Sequence, residues 1–253
     1  MSTSRKQEIA QRFSRAAEGY AEFAELQAAI ADRLMASSEF SGVVLDAGCG
    51  RGRESVLLSE RNDIDQVIAL DMAPGMLAKL PVSEQIQPLL GDIEAIPLPD
   101  ASVNHAFSNF VLQWCDSREQ ACRELFRVIK PGGQLLAAVP GPASLTALRA
   151  DKLLHINSFV GVQDWAIALM QAGFGECHFD QQDFAMHFDS ARDLLHALQG
   201  IGAATSDAPR ERHLHGRQWF KQVSAALESK REPQGLPLRY DVIFIQAKRE
   251  LES

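Results

Sequence analysis

Long apolar runs are missing from this chain. None approaches the length of a membrane span, so no membrane-spanning segment is expected. Met1 to Gln7 is polar and lacks the apolar core of a secretory signal, so none is expected either. Cysteine is sparse: Cys49, Cys115, Cys122 and Cys177 form no CxxC pair and no evenly spaced framework. That argues against a disulfide scaffold and points to a reduced, cytoplasmic setting. An excess of basic residues is also lacking. Lys and Arg number 25 against 33 Asp and Glu, a net charge of -8, which leaves no broad surface for nucleic acid. His105, His155, His213 and His215 have no ligand-spaced company, so no metal site is expected. Internal repeats and low-complexity segments are absent. What remains is 253 residues with 46% hydrophobic content, enough for one large domain with a full core, or one domain with an appended subdomain.

The most informative stretch is Val43-Val44-Leu45-Asp46-Ala47-Gly48-Cys49-Gly50-Arg51-Gly52. A short apolar run ends in an acid and enters a glycine-rich turn. A second run, Gln66 to Leu70, ends in Asp71, and a third, Pro88 to Leu90, ends in Gly91-Asp92. Three strands ending in carboxylates at one sheet edge make a place for a small polar cofactor. Glycines let the backbone approach such a ligand with no Cβ in the way, although a glycine after a strand also serves a plain tight turn.

Around these runs the periodicity alternates between strand and helix as far as Pro140. Helices are expected at Ser55–Arg61, Pro74–Leu80 and Ser117–Ile129, with strands at Ala101–Phe110 and Gln134–Val139. Lys130-Pro131-Gly132-Gly133 is expected to stop a helix at Ile129 and turn the chain into the fifth strand. The alternation predicts an α/β, doubly wound, mostly parallel sheet. Ahead of it, Ile9, Phe13, Ala17 and Tyr20, then Phe23, Leu26, Ile30 and Leu34, predict two amphipathic helices. Beyond it, helices are expected at Ser144–His155, Gln163–Ala172, Ala191–Leu198 and Gly216–Ser229, and strands at Phe174–Phe179 and Leu238–Ala247. Residues 1–40 then read as a helical lid, 41–140 as the cofactor-binding core, and 141–253 as the remaining strands with inserted, substrate-selecting helices.

A nicotinamide site would want G-x-G-x-x-G, whereas the spacing here is Gly48-x-Gly50-x-Gly52. Asp71 would suit the ribose of either cofactor. Asp46 suits a ligand with an ammonium group and would sit badly beside a pyrophosphate. The pattern therefore favours S-adenosylmethionine, which has an amino-acid tail, a ribose and an adenine but no phosphate.

Val44-Leu-Asp-Ala-Gly-Cys-Gly50, Leu70-Asp-Met72, Gly91-Asp-Ile-Glu94 and Glu124-Leu-Phe-Arg-Val-Ile-Lys-Pro-Gly-Gly133 resemble the class I S-adenosylmethionine-dependent methyltransferases. Phe13-Ser-Arg-Ala-Ala-Glu-Gly-Tyr20, Ser108-Asn-Phe-Val-Leu-Gln-Trp-Cys115, Leu198-Gln-Gly-Ile-Gly-Ala203 and Leu236-Pro-Leu-Arg-Tyr240 resemble, within them, the malonyl-[acyl-carrier protein] O-methyltransferases of biotin synthesis. The resemblance implies a seven-stranded sheet. It implies that Asp46, Gly48 and Gly50 line the methionine tail, that Asp71 holds the ribose hydroxyls with Met72 against the adenine, and that Asp92 and Ile93 read the adenine edge. Asn109 would sit beside the methionine part. Arg51 departs from the family, where a small residue or proline is frequent; it is expected to point away from the cofactor.

Tyr20 has two readings. It continues the Ile9–Phe13 stripe, or it caps cofactor and acceptor once Gly19 ends the helix. Arg15 would bind a substrate carboxylate or face solvent. In an unbroken helix the two point about 140° apart, so sharing a site requires a break. The implied substrate is a malonyl thioester on an acyl carrier protein, an acidic partner. Residues 207–231 carry six cations against three anions, and Arg217 and Lys221, one helical turn apart, are the expected docking pair. Two other functions fit the core motifs: a methyltransferase acting on a quinone or other aromatic acceptor, and a non-catalytic S-adenosylmethionine-binding protein.

Overall fold

A computed structural model of the chain describes residues 21–37, 39–149, 158–200 and 217–251. In chain order they form α1 (Ala21–Ala36), β1 (Gly42–Ala47), α2 (Arg53–Ser59), β2 (Ile64–Asp71), α3 (Pro74–Leu77), β3 (Ile86–Leu90), β4 (Val103–Asn109), a 3-10 turn at Leu112–Trp114, α4 (Arg118–Val128), β5 (Ile129–Pro140), α5 (Thr146–Arg149), α6 (Val162–Ala172), β6 (Cys177–Phe188), α7 (Ala191–Gly200), α8 (Arg217–Glu228) and β7 (Leu236–Lys248). The strands make one seven-stranded sheet in the order β3-β2-β1-β4-β5-β7-β6. β1 to β5 run parallel; β7 is antiparallel to both β5 and β6. This is the doubly wound, mostly parallel sheet that the alternation of periods predicts.

The central strands of the sheet are buried on both sides, and neighbouring strand residues feed opposite layers. Val44, Leu136 and Val242 pack under α1, α2, α7 and α8, while Leu45, Leu135 and Ile243 pack under α4 and α6. Helix α1 forms because Leu26, Ile30 and Leu34 recur at one face and are all buried there. Helix α4 starts where Ser117 accepts the Gln120 amide, and α6 ends at Gly173, whose φ of 110° suits glycine. No helix among the described residues is long and apolar enough to cross a membrane.

Several elements differ from expectation. β5 begins at Ile129, with Ile129 paired to Val103, and the register breaks before His105 pairs with Gln134. Lys130-Pro131-Gly132-Gly133 is thus an irregularity inside a strand rather than a loop before it. A Cβ on Gly133 would lie 2.1 Å from the Asn104 carbonyl, which explains the glycine. β6 runs to Phe188 instead of Phe179 because it pairs with β7 along its whole length. Its middle, Asp180-Gln-Gln-Asp183, is exposed, so no apolar alternation marks it. β4 is trimmed at both ends, where Ala101 and Phe110 take positive φ. The helix expected over 144–155 is described only at Thr146–Arg149, and residues 150–157 lie outside the described residues, as does the first N-terminal helix. Trp114 and Cys115 are half-buried.

Candidate active site

The strand order reverses between β1 and β4, and a crevice opens there at the carboxyl ends of the strands. The loop after β1 forms its floor. Gly48 and Cys49 both donate to the Leu70 carbonyl (2.8 and 2.9 Å), and the Gly50 amide donates to Asp71 Oδ2 at 2.9 Å. The loop is thereby stitched to the end of β2. Gly48, Gly50 and Gly52 all have positive φ, but they answer different needs. A Cβ on Gly48 would strike Val111 at 2.4 Å and one on Gly52 would strike Leu80 at 2.1 Å, whereas one on Gly50 would meet nothing within 4 Å. Gly50 thus borders open space that a ligand can occupy.

Three carboxylates meet at this edge. Asp46 is only 2% exposed and accepts the Ser55 hydroxyl at 2.5 Å. Burial, with help from the Glu54 and Asp71 charges, pushes its carboxyl up to about 8 against the Ser55 hydrogen bond. Asp71 accepts from Gly50 and from the Ala73 amide (2.8 Å); its burial raises its pKa, and these backbone donors hold the rise in check. Met72, next along, is half-buried. Asp92 accepts the Glu94 amide at 3.0 Å and is half-buried. Ile93 is 7% exposed with its side chain in the core, so any contact with an adenine edge falls to its main chain.

At the end of β4, Asn109 donates to the Gln27 carbonyl of α1 at 3.0 Å, while its Oδ1 is buried with no hydrogen-bond partner. Buried acceptors are normally satisfied, so this oxygen marks a place for a donor on a ligand. Just below, Ser108 Oγ donates to the Ala47 carbonyl at 2.9 Å and locks β4 to β1 at the reversal. Phe110 follows in the left-handed region (φ 57°), with its ring edge-on to Tyr240 at 5.7 Å. Cys49 is buried behind the loop, and burial with the nearby Asp46 and Asp71 pushes its thiol up, away from a nucleophilic role. Arg51 is exposed.

The structure thus brings Asp46, Gly48, Gly50, Asp71, Met72, Asp92, Ile93 and Asn109 to one edge of the sheet. Arg15 and Tyr20 lie outside the described residues, and of Arg217 only the position in α8 is described. Sequence reasoning missed Ser55, the partner of Asp46, and Gln27, which contributes only its carbonyl; neither carries a side-chain signal for its role. It also left open why Glu124 and Arg127 belong to the motif. Glu124 accepts the Ile96 amide and binds Arg127, which in turn donates to the Leu98 and Ile96 carbonyls and clasps the loop after Asp92. A separate open groove of about 810 Å³, lined by Met35, Leu57, Arg61 and Gln134 among others, lies at the opposite edge, at the amino end of β5.

The donor set fits a ligand with an ammonium group, a ribose and a flat base. Carboxylates at the strand ends suit the first two. A sheet of this order with a glycine floor at the reversal defines a class I methyltransferase. A methyltransferase domain family matches residues 45–137. The fold is that of the YcgJ protein of Bacillus subtilis, with a TM-score of 0.61 at 17% identity over 88% of this chain and 98% of that one. The malonyl-[acyl-carrier protein] O-methyltransferase of Methylovorus sp. (strain MP688) is 36% identical over 94% of this chain and 87% of its own length. That of Yersinia pestis is 38% identical over 94% and 90%. The chain belongs to the malonyl-[acyl-carrier protein] O-methyltransferase family.

Proposed function

We propose that this protein transfers a methyl group from S-adenosylmethionine to the free carboxylate of malonyl-acyl carrier protein, making the ester with which pimeloyl synthesis for biotin begins. The observation that carries this reading is family identity above 35% across 94% of the chain, well beyond the cofactor motifs. The protein would work in the cytoplasm, where its free cysteines stay reduced. In this reading residues 1–40 form a lid over the 41–140 core, and 141–253 carry the acceptor-selecting additions.

Asp46, Gly48 and Gly50 would hold the methionine tail, Asp71 the ribose hydroxyls, Met72 and the Asp92–Ile93 turn the adenine, and Asn109 Oδ1 a donor near the methionine part. S-adenosylmethionine, when bound, supplies an electrophilic methyl group on a sulfonium. The acceptor carboxylate is already ionised at neutral pH, so no residue of the chain needs to remove a proton. Arg15 and Tyr20 would orient the carboxylate oxygen in line with the methyl, opposite the sulfur. Alignment and exclusion of water supply much of such a rate, up to about 7–11 kcal/mol in well-positioned systems. A buried arginine also stabilises the acceptor before reaction, so its gain lies in binding more than in turnover. Arg217 and Lys221 would receive the acidic carrier.

The test is incubation with methyl-labelled S-adenosylmethionine and malonyl-acyl carrier protein. Label is expected on the carrier as a base-labile ester, and none on carrier bearing an acetyl group. Label on a quinone but not on malonyl carrier would replace this reading with the aromatic one. Cofactor binding without transfer to either would leave a binding protein.

A further inference from the structure

β6 and β7 run past the rest of the sheet. Pro140, the last residue of β5, pairs with Val242, whose partner on β6 is Gln182. Residues 183–188 and 236–241 therefore project beyond the carboxyl end of β5, on the same edge as the crevice. α7 and α8 cover one face of this projection through Leu194, Leu198, Val223 and Leu227, which join the core around Leu238 and Tyr240.

The outer side of these helices has its own pattern. The Arg192 guanidinium lies over the Phe220 ring, 5.9 Å from its centroid, yet the ring remains 37% exposed. Arg192 and Lys221 are both exposed. Helical spacing sets positions 217, 220 and 221 within a sector of about 100°, so α8 presents its one exposed ring on the same side as two cationic positions. The one acid on α8, Glu228, sits at its far end and is engaged by Arg231 at 2.7 Å. The one acid described on α7, Asp193, accepts the Ser190 hydroxyl in the first turn. In a chain of net charge -8 this is a local concentration of positive charge around an apolar centre. An acidic amphipathic helix matches it: carboxylates toward the cations, an apolar ridge toward the ring.

We propose that Phe220 and Arg192 form the centre of the surface that receives the acyl carrier protein, with Lys221 and Arg217 at its flank. This rests on the functional reading above and extends it from two expected cations to an aromatic anchor. The two parts have different physical signatures. Charges at an exposed rim act on association and fade as salt rises, whereas an apolar contact persists. The projection of β6 and β7 sets the carrier beside the crevice, where a flexible thioester arm can enter.

The experiment measures binding of fluorescently labelled carrier, bearing its thiol arm but no malonyl group, to full-length protein by anisotropy at low and high salt. Methyl transfer to a small malonyl thioester is followed in parallel. Arg192→Glu should weaken carrier binding about tenfold at low salt and less than about threefold at 0.5 M salt, and Arg192→Lys should restore it. Phe220→Ser should weaken it about fivefold at both salts. Transfer to the small thioester should stay at the wild-type level in all three. Wild-type binding strength in Arg192→Glu and Phe220→Ser, no measurable binding by the wild type, or a matching loss on the small thioester would each overturn the proposal. If the variants behave as stated but the wild type never methylates malonyl carrier, the docking surface stands and the functional reading falls.

Discussion

Replacing Asp46 by Asn should make the ligand-free protein more stable, and more so the higher the pH. The fold holds this carboxyl against burial and against two neighbouring carboxylates, with its pKa displaced from 3.8 to about 8. A carboxyl raised in this way keeps a proton in the fold that the unfolded chain has already released. Its contribution is therefore harmless below about pH 4 and increasingly unfavourable as pH rises toward 8, flat beyond. At about 1.4 kcal/mol per pH unit the full penalty is roughly 6 kcal/mol as an upper bound. Asn keeps the shape and can still accept the Ser55 hydroxyl, but carries no charge to bury. For a domain of this size about 1 kcal/mol moves the melting point by about 2–4 °C. The measurement is the melting temperature of wild type and Asp46→Asn without ligand from pH 5 to 8.5. The gap should widen by at least about 5 °C over that range. Cofactor affinity should move oppositely. In the wild type it rises with pH up to about 8, as ionised Asp46 becomes available to the ligand's cation, and in Asp46→Asn it is weaker and flat. A stability gap that does not change with pH would refute the reasoning.

Asp71→Ala should weaken S-adenosylmethionine binding by about 1.5–3 kcal/mol in calorimetry, the range for a hydrogen bond to a charged group; unchanged affinity in a folded variant would remove Asp71 from the ribose. Gly50→Ala, at a φ of 54° with nothing within 4 Å of the added Cβ, should cost only about 1–2 kcal/mol of stability while cutting cofactor affinity sharply. Gly52→Ala should instead lose stability, because its Cβ meets Leu80 at 2.1 Å. Tyr20→Phe should lower turnover more than cofactor affinity, and equal activity would return Tyr20 to an apolar stripe.

Within the parallel half, β1 and β2 were legible because they are largely buried and stand out as apolar runs. Asp46, Asp71 and Asp92 were legible because each ends such a run. Of β6 only the start was, since Asp180 to Asp183 lie exposed and are held by pairing with β7 rather than by burial. The extent of β5 was hidden by a proline and two glycines that the pairing with β4 absorbs as a register break. Ser55 and the Gln27 carbonyl were hidden for a different reason. Their part in the site is a product of packing, a hydroxyl aimed at a buried acid and a main-chain group that any residue would supply.

β7 is the last strand along the chain but stands inside the sheet, between β5 and β6. A nascent chain leaving the ribosome can pair β1 to β5 as each emerges, yet β6 has no neighbour until β7 arrives. Until then the flank of β5 is an open edge able to pair with another chain. Contacts between residues as distant as Gln134 and Gln246 close this gap, and such long loops close slowly. The growing protein thus passes through a stage in which its cofactor crevice is already lined while its sheet is still unfinished, and a cofactor binding then would favour the parallel half before the rest has closed.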